Sequence, residues 1–299
     1  MSIRIWINFA LSMALMALMS TSNAVSQNVV TGDWTASIDG KTDRIHLKFE
    51  HRTEKNGRNS MGQSYEFSEL QGLTREQAAG SGQVRFSLVR EAGRIDCEGS
   101  FQNGKGSGTF RFTGDMGFVS AMKSRGFDFE ENSISEHGRS SENRLFAATT
   151  LNVTTALADD LNSAGFGKLN VNDLFKAAIF KVDSRFKREM DASGFGRLGM
   201  EELVKARIFK IDSDFVVQAK QMGFESESLE SLVKLRIFKV TPEFIAEARN
   251  EGLTNLTLEE AVKLRIFNID SEFIRKARAD GVPIEVERLV ERKIGVRHR

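Results

Sequence analysis

Residue types that support disulfides, metal clusters or long stiff linkers are scarce in this chain of 299 residues. Its single cysteine, Cys97, can form neither an intrachain disulfide nor a thiolate cluster, and the apolar alternation around it predicts a buried strand position. Two prolines are too few for a long Pro-rich linker. The four histidines form no HExxH motif and no GxSxG elbow occurs, so we expect no catalytic residue, metal or cofactor and predict that the chain is not an enzyme.

An excess of charge of one sign is also lacking. Lys and Arg number 42 and Asp and Glu number 41, which leaves a formal net charge of +1. There is no basic surplus of the kind that nucleic-acid-binding proteins carry, and no acidic tail for a cationic partner. We therefore expect a partner that is a protein or a cell-envelope ligand, and no nucleic acid.

The N-terminus carries an apolar run from about Ile5 to Met19, with an early arginine before it and small residues at Ser22 and Ala24 after it. This layout predicts a signal peptide at residues 1–24 that is cleaved after Ala24. We therefore expect a periplasmic or secreted protein without stable membrane insertion. Retention of the run as an anchor is the alternative, although a run of about 15 residues is short for a membrane span.

Apolar and polar residues alternate through the N-terminal part of the chain, with the period of half-buried antiparallel strands. The alternating apolar positions are Trp34, Ala36, Ile38, Ile45, Leu47, Phe49, Val84, Phe86, Leu88, Ile95, Cys97, Phe110 and Phe112. Asn103 and Gly104 predict a tight hairpin turn, and EAGR at 91–94 predicts another. We expect a small antiparallel β domain at 25–113, either a sandwich or a half-barrel, with a loop at 55–62.

A different pattern begins near Asp115, because similar strings recur at a step of 29 residues. The strings are AAIFKVDSRF, ARIFKIDSDF, LRIFKVTPEF and LRIFNIDSEF, which begin at 177, 206, 235 and 264. The same step separates Gly165, Gly194, Gly223, Gly252 and Gly281, and also Phe186, Phe215, Phe244 and Phe273. Self-similarity of this kind is typical of repeat proteins. We predict six helix-pair repeats at 114–295, the first with an insertion of roughly ten residues around SISEHGRSS, and a basic tail at 296–299.

Each predicted unit contains the start and stop signals of a helix. Good N-cap residues recur at Asp183, Asp212, Thr241 and Asp270, and the repeated glycine suits a left-handed C-terminal position. Helix pairs this short cannot bury their apolar faces alone, so the units should stack around a shared core. The predicted core positions are the four repeated phenylalanines and Leu203, Val204, Ile208, Leu232, Val233 and Ile237. The predicted fold class is therefore α+β, with a small antiparallel β domain followed by an array of α-helical hairpins, a short α-solenoid.

Residues 191–202, DASGFGRLGMEE, share an outline with calcium-binding loops, because an acid stands first and Glu202 twelfth. The fifth position, which should supply an oxygen, is Phe195. Capping explains the same letters, since Gly194 suits a helix stop and Glu202 the N3 position of the next helix. Weak calcium binding at 162–173 and 191–202 is kept as an alternative.

Cationic residues recur in the predicted second helices and are the candidate partner contacts. They are Lys205, Arg207, Lys234, Arg236, Lys263 and Arg265. Each lysine follows a glutamate by four residues, as Lys205 follows Glu201, which predicts ion pairs along an exposed helix face. Each arginine lies on another face, where it could pair with acids of the next helix such as Asp212 or Glu243. The alternative is an arginine ladder that binds an anionic partner.

The repeats resemble a known module. The string LVKLRIFKVTPEFIAEARNEGL is similar to the helical repeats of exported proteins from environmental bacteria, which also occur C-terminal to membrane metallopeptidases of the β-lactam-sensor type. The preceding segment, FSLVREAGRIDCEGSFQNGKGSGTFRF, is similar to the β module that often accompanies those repeats. The resemblance covers about Gly32 to Val296 and implies an extracytoplasmic sensing or interaction module. The chain lacks the HExxH motif of the peptidases, so their activity is not implied.

The functional expectation is a non-catalytic extracytoplasmic module that binds a protein or envelope ligand through its repeat surface. The alternative is an enzyme or metal-dependent switch with a site at the junction of the β domain and the repeats. That site would combine His137, in the insertion, with the Gly-rich hairpin at 103–108.

Overall fold

The computed structural model describes residues 29–40, 42–52, 58–130, 141–195, 197–224 and 228–296. The chain divides into two compact units, the described residues of Met1–Leu88 with Gly93–Gly114, and those of Val89–Ala92 with Asp115–Arg299. One unit is a β-sheet and the other is helical, which confirms the α+β class. The predicted signal peptide at 1–24 lies outside the described residues. Among the helices that are described, none is long and apolar enough to cross a membrane.

The first unit is a curled, antiparallel seven-stranded sheet, so of the two predicted forms it is a half-barrel and not a sandwich. The strands are β1 Val29–Ile38, β2 Arg44–Arg52, β3 Arg58–Glu66, β4 Leu70–Gln71, β5 Ser81–Arg90, β6 Gly93–Gln102 and β7 Lys105–Gly114, in the order β3-β2-β1-β7-β6-β5-β4. A short helix, α1 Arg75–Ala79, packs against β6 and β7. The turn at Asn103 and Gly104 has positive φ at both residues (51° and 80°), as its sequence predicts.

The predicted loop at 55–62 is wrong from Arg58 onward, because β3 begins there and pairs with β2 along its whole length. Residues 53–57 lie outside the described part of the chain. Tyr65 is the one residue of β3 that is fully buried. The strand lies at the edge of the sheet and is built from Ser, Gln, Asn and Gly, so it lacks the apolar alternation by which strands are identified.

Two glycines, Gly99 and Gly108, face each other across β6 and β7 where the sheet has no room for a side chain. A Cβ on Gly108 would lie 2.0 Å from the carbonyl oxygen of Glu98, and a Cβ on Gly99 would lie 2.7 Å from the indole ring of Trp34. The indole of Trp34 is buried, and its Nε1 donates a hydrogen bond to that same carbonyl of Glu98 (3.2 Å). The missing side chains therefore make room for the largest ring of the core.

We predict that Gly108→Ala destabilises the sheet by about 3 kcal/mol, because its Cβ cannot be accommodated without moving strand β6. Urea unfolding followed by the fluorescence of Trp34 measures the change. Gly40→Ala is the matched control, since a Cβ there meets nothing within 4 Å, and it should change stability by less than about 0.5 kcal/mol. Equal unfolding midpoints for the two variants would show that the sheet accommodates a Cβ at Gly108, and would contradict the prediction.

The second unit is entirely helical among its described elements. Its helices are α2 Met116–Lys123, α3 Ser141–Leu151, α4 Thr155–Ser163, α5 Val171–Phe180, α6 Ser184–Met190, α7 Met200–Ile208, α8 Ser213–Gln221, α9 Leu229–Ile237, α10 Pro242–Asn250, α11 Leu258–Ile266, α12 Ser271–Ala279 and α13 Val286–Lys293, with a π turn at Asp191–Phe195. The helix α3 packs against α5, α5 against α7, α7 against α9, α9 against α11, and α11 against α13.

The predicted start and stop signals of these helices are confirmed. The carboxylates of Asp183, Asp212 and Asp270 and the hydroxyl of Thr241 each accept a hydrogen bond from the amide three residues later, at 2.7–3.3 Å. The five repeated glycines all have positive φ, between 73° and 102°. Local sequence therefore sets where the first helix of each pair begins and ends.

Four of the six aliphatic core positions named from the sequence are buried, namely Leu203, Val204, Leu232 and Val233. The prediction is wrong for Ile208 and Ile237, which are each 52% exposed. On α7, Ile208 lies between the buried position of Val204, one turn earlier, and the exposed positions of Glu201 and Lys205. It is also the last residue of the helix, beyond the four that are buried, so about half of its surface faces solvent.

Candidate functional site

Five isoleucines at or next to the ends of successive second helices are exposed, and we call them the isoleucine row. Their exposed fractions lie between 50% and 57%. They are Ile179 on α5, Ile208 on α7, Ile237 on α9, Ile266 on α11 and Ile294 directly after α13. The first four are separated by 29 residues and the last step is 28. Isolated exposed apolar residues are ordinary on protein surfaces, but the same residue at the same place on consecutive helices is not.

Ion pairs between neighbouring helices place the exposed faces of these helices side by side. The pairs are Lys176–Glu201, Lys205–Glu230, Lys234–Glu259 and Lys263–Glu287. Each lysine lies three residues before an isoleucine of the row, so the charged pairs run beside the row. Packed helices lie about 8–10 Å apart, which gives the row a length on the order of 40 Å.

These partners correct the prediction of ion pairs within single helices. Lys205 pairs with Glu230 of the next second helix and not with Glu201, whose carboxylate is bound by Lys176 of the preceding one. The hydrogen bond that Lys176 donates to Glu201, opposed by partial burial, raises the pKa of Lys176. The paired side chains are largely exposed, so they neutralise each other's charge and add little to stability.

The arginines also have partners other than those predicted. The guanidinium of Arg207 stacks on the ring of Phe186, 3.6 Å from its centroid, and its Nε donates to the carbonyl of Lys181 (3.1 Å). Arg236 repeats this arrangement with Phe215 (3.6 Å) and the carbonyl of Lys210 (2.7 Å).

The third arginine varies the same arrangement. Arg265 lies 4.9 Å from the centroid of the ring of Phe244 and donates to the carbonyl of Phe238 (3.1 Å). The predicted acids are engaged elsewhere in the described structure. Asp212 accepts from the amide of Phe215, and hydrogen bonds from its own amide and from Thr241 lower the pKa of Glu243. The prediction of pairing with Asp212 or Glu243 is therefore wrong, and the three arginines tie consecutive helix pairs together.

The arginines hold turns of unusual conformation. Lys181, Lys210 and Lys239 are left-handed, with φ of 57°, 53° and 53°, and Asn268 has φ of 49° at the equivalent place. Glycine or asparagine usually occupies such a position, because a left-handed residue with a longer side chain costs about 1–2 kcal/mol. All three lysines are exposed, and within the described part of the chain their side chains have neither a hydrogen bond nor an ion pair. We call these three residues the lysine border, since each follows an isoleucine of the row by two positions.

The carboxylates of the two calcium-like segments make other contacts in the structure. Asp191 binds the buried ammonium of Lys187 (2.7 Å), and Glu202 accepts a hydrogen bond from the amide of Gly199 (2.6 Å) as a helix cap. In the segment at 162–173, Asp173 accepts from the amide of Asn170 (3.0 Å). Among the residues that the structure describes, which omit Gly196 of this loop, no group of three or more His, Cys, Asp or Glu is placed to hold a metal ion.

The polar face of the sheet carries a second cluster of charged side chains. Arg94 and the hydroxyl of Ser87 both donate to Asp96 (2.7 and 2.6 Å), and Arg85 pairs with Glu98 (2.7 Å). Burial raises the pKa of Asp96, but the hydrogen bonds from Ser87 and Arg94 together outweigh it and lower that pKa overall. These four charged groups and Ser87 satisfy one another.

His137, which the alternative site at the junction needs, lies outside the described residues, so that alternative stays a prediction. Gly104 of the Gly-rich hairpin forms the turn between β6 and β7. No protein-family model matches the chain, and neither a curated protein nor a solved structure does.

We predict that Arg236→Met destabilises the helical unit by about 1–2 kcal/mol, because it removes both the stacking on Phe215 and the bond to the turn. Arg236→Lys should cost less, since Lys293 makes the equivalent two contacts with Phe273 and the carbonyl of Asn268. Urea unfolding followed by circular dichroism measures both. Arg185→Met, at an exposed pair within one helix, is the control and should change stability by less than about 0.5 kcal/mol. A loss for Arg236→Met no larger than this would show that the arginine contacts do not stabilise the unit.

We predict that millimolar calcium leaves the melting temperature unchanged relative to chelator, because Asp191 and Glu202 are already bound to Lys187 and Gly199. A ligand that binds only the folded form must raise the melting temperature. An increase that Asp191→Asn abolishes would instead establish calcium binding at 191–202.

Proposed function

We propose that the chain is a non-catalytic extracytoplasmic interaction module that binds a protein or envelope ligand through the isoleucine row. The observation that carries the proposal is the exposure of one isoleucine at or next to the end of each of five successive second helices. Exposed apolar side chains that recur along one surface favour an interaction site. Lys205, Lys234 and Lys263 lie beside the row, whereas Arg207, Arg236 and Arg265 stack on Phe186, Phe215 and Phe244.

The proposal includes a short array of helix-pair repeats with a period of 29 residues. Three features support the array: the recurring strings, the packing of each second helix on the next, and the arginine contacts that recur from pair to pair. An array of this kind presents the same residue at regular intervals along one face. The isoleucine row is the surface that this regularity produces.

The extracytoplasmic location is supported by the N-terminal sequence, whose charged start, apolar run and small residues are those of a signal peptide. The resemblance to exported repeat modules supports the same location and a sensing or scaffolding role. The near-neutral net charge of +1 favours a protein or envelope ligand over a nucleic acid.

We predict that Ile208→Ser with Ile237→Ser abolishes the specific capture of a partner from envelope extracts of cells that express the chain. The two serines remove the apolar side chains at the centre of the row. They should leave the packing of the core unchanged, because both isoleucines are about half exposed. Capture with tagged protein, followed by quantitative mass spectrometry, gives the measurement. Captured proteins are compared between the native chain and the variant.

Val217→Ser is the matched control, since Val217 is also 52% exposed but lies on α8, away from the row. It should retain every partner that the native chain captures. Melting curves of all three proteins establish that the serines leave the fold intact. Identical partner lists for the native chain and the row variant would refute the proposed function.

A further inference from the structure

We infer that the partner presents an extended acidic segment with an apolar side chain at every third residue. The inference rests on the proposed function, and it specifies the chemistry of the partner from the width, spacing and charge of the isoleucine row. The exposure and charge are properties of the structure, and the spacing follows from the usual distance between packed helices.

The row is one side chain wide and long, which suits a linear segment better than a folded surface. Five half-exposed isoleucines supply a few hundred Å² of apolar area, whereas a stable interface between two folded proteins needs about 800 Å² on each side. A second copy of the chain, meeting the first along the row, would therefore bury too little surface. A single extended strand of polypeptide covers such a strip completely.

The spacing of the row matches an extended chain. Packed helices lie about 8–10 Å apart, so consecutive isoleucines are separated by about that distance along the row. A polyproline II segment rises about 3.1 Å per residue and returns to the same side every third residue, after about 9.3 Å. An apolar residue at every third position of the partner would therefore meet one isoleucine on each helix.

The charge of the surface favours an acidic partner. Lys181, Lys210 and Lys239 follow the first three isoleucines by two residues and are exposed, whereas Lys176, Lys205 and Lys234, three residues before them, are neutralised by glutamates. A lysine at a left-handed position is less stable than glycine or asparagine, so the chain carries these three exposed cations at some cost to its own stability. Carboxylates of the partner that flank its apolar residues would lie against this border.

An anionic membrane would also offer apolar and negatively charged groups, so membrane binding is one outcome of the test.

Selection from displayed random peptides of about 15 residues, enough to span the row as an extended chain, tests the inference. The native chain should enrich peptides with apolar residues at every third position and with Asp or Glu between them. Enriched peptides are then synthesised, and their affinities are measured by fluorescence anisotropy at low and high salt. We expect affinity to fall with salt, because the lysine border is exposed.

Two variants separate the apolar and ionic parts of recognition. Ile208→Ser with Ile237→Ser should weaken the selected peptides at least tenfold, and Val217→Ser should not. Lys210→Asn with Lys239→Asn, which copies Asn268, should weaken them about threefold to tenfold and remove the salt dependence while the melting temperature stays level or rises. If the lysines had only a structural role, the two substitutions would lower the melting temperature and leave the affinity for the peptides unchanged.

Other outcomes overturn the inference. Enrichment of basic peptides, of peptides with the spacing of an amphipathic helix, or of none would each refute it. Cosedimentation with phosphatidylglycerol vesicles that depends on Ile208 and Ile237, without peptide binding, would show that the row binds a membrane. If capture from extracts depends on the row but no acidic peptide binds, the inference alone fails. If neither depends on the row, the proposed function fails with it.

Discussion

The contact on which the helical unit most depends is an arginine that stacks on a phenylalanine and donates to a turn carbonyl. Arg207 connects α7 to the ring of Phe186 and to the turn that ends α5, and Arg236 does the same one pair later. One side chain thus fixes the distance between two helices and the conformation of the turn between them. In the last pair Lys293 replaces arginine and keeps both contacts, so the geometry requires a cation more than it requires a guanidinium.

The features that the sequence predicts well are those determined by a few neighbouring residues. The helix caps, the glycine stops and the hairpin at Asn103 need only a few neighbouring residues, so their patterns identify them. The partners of Lys205 and Arg207 could not be found this way, because Glu230 and Phe186 are brought near by the packing of helices far apart in the chain. The exposure of Ile208 could not be predicted for the same reason. Its sequence shows that it lies near Glu201 and Lys205 on the helix, but which side of the helix is buried depends on the assembled unit.

The sheet shows the same division between local and non-local information. Strands with alternating apolar residues are evident, because one face of each is buried, whereas the edge strand β3 is polar and has no such signal. The glycines at 99 and 108 are visible in the sequence, but nothing local reveals that they oppose each other beneath Trp34. The close approach at this place therefore depends on which residues the sheet pairs, and a local pattern does not show that.

The bond from each arginine to the turn is made to a backbone carbonyl, and every amino acid has one. The side chain of the turn residue is thereby independent of the contact that holds the turn, and Lys181, Lys210 and Asn268 illustrate how it can change while the backbone stays left-handed. A single substitution at such a position, such as Lys210→Asn, alters the charge that the surface displays without removing the bond that holds the turn.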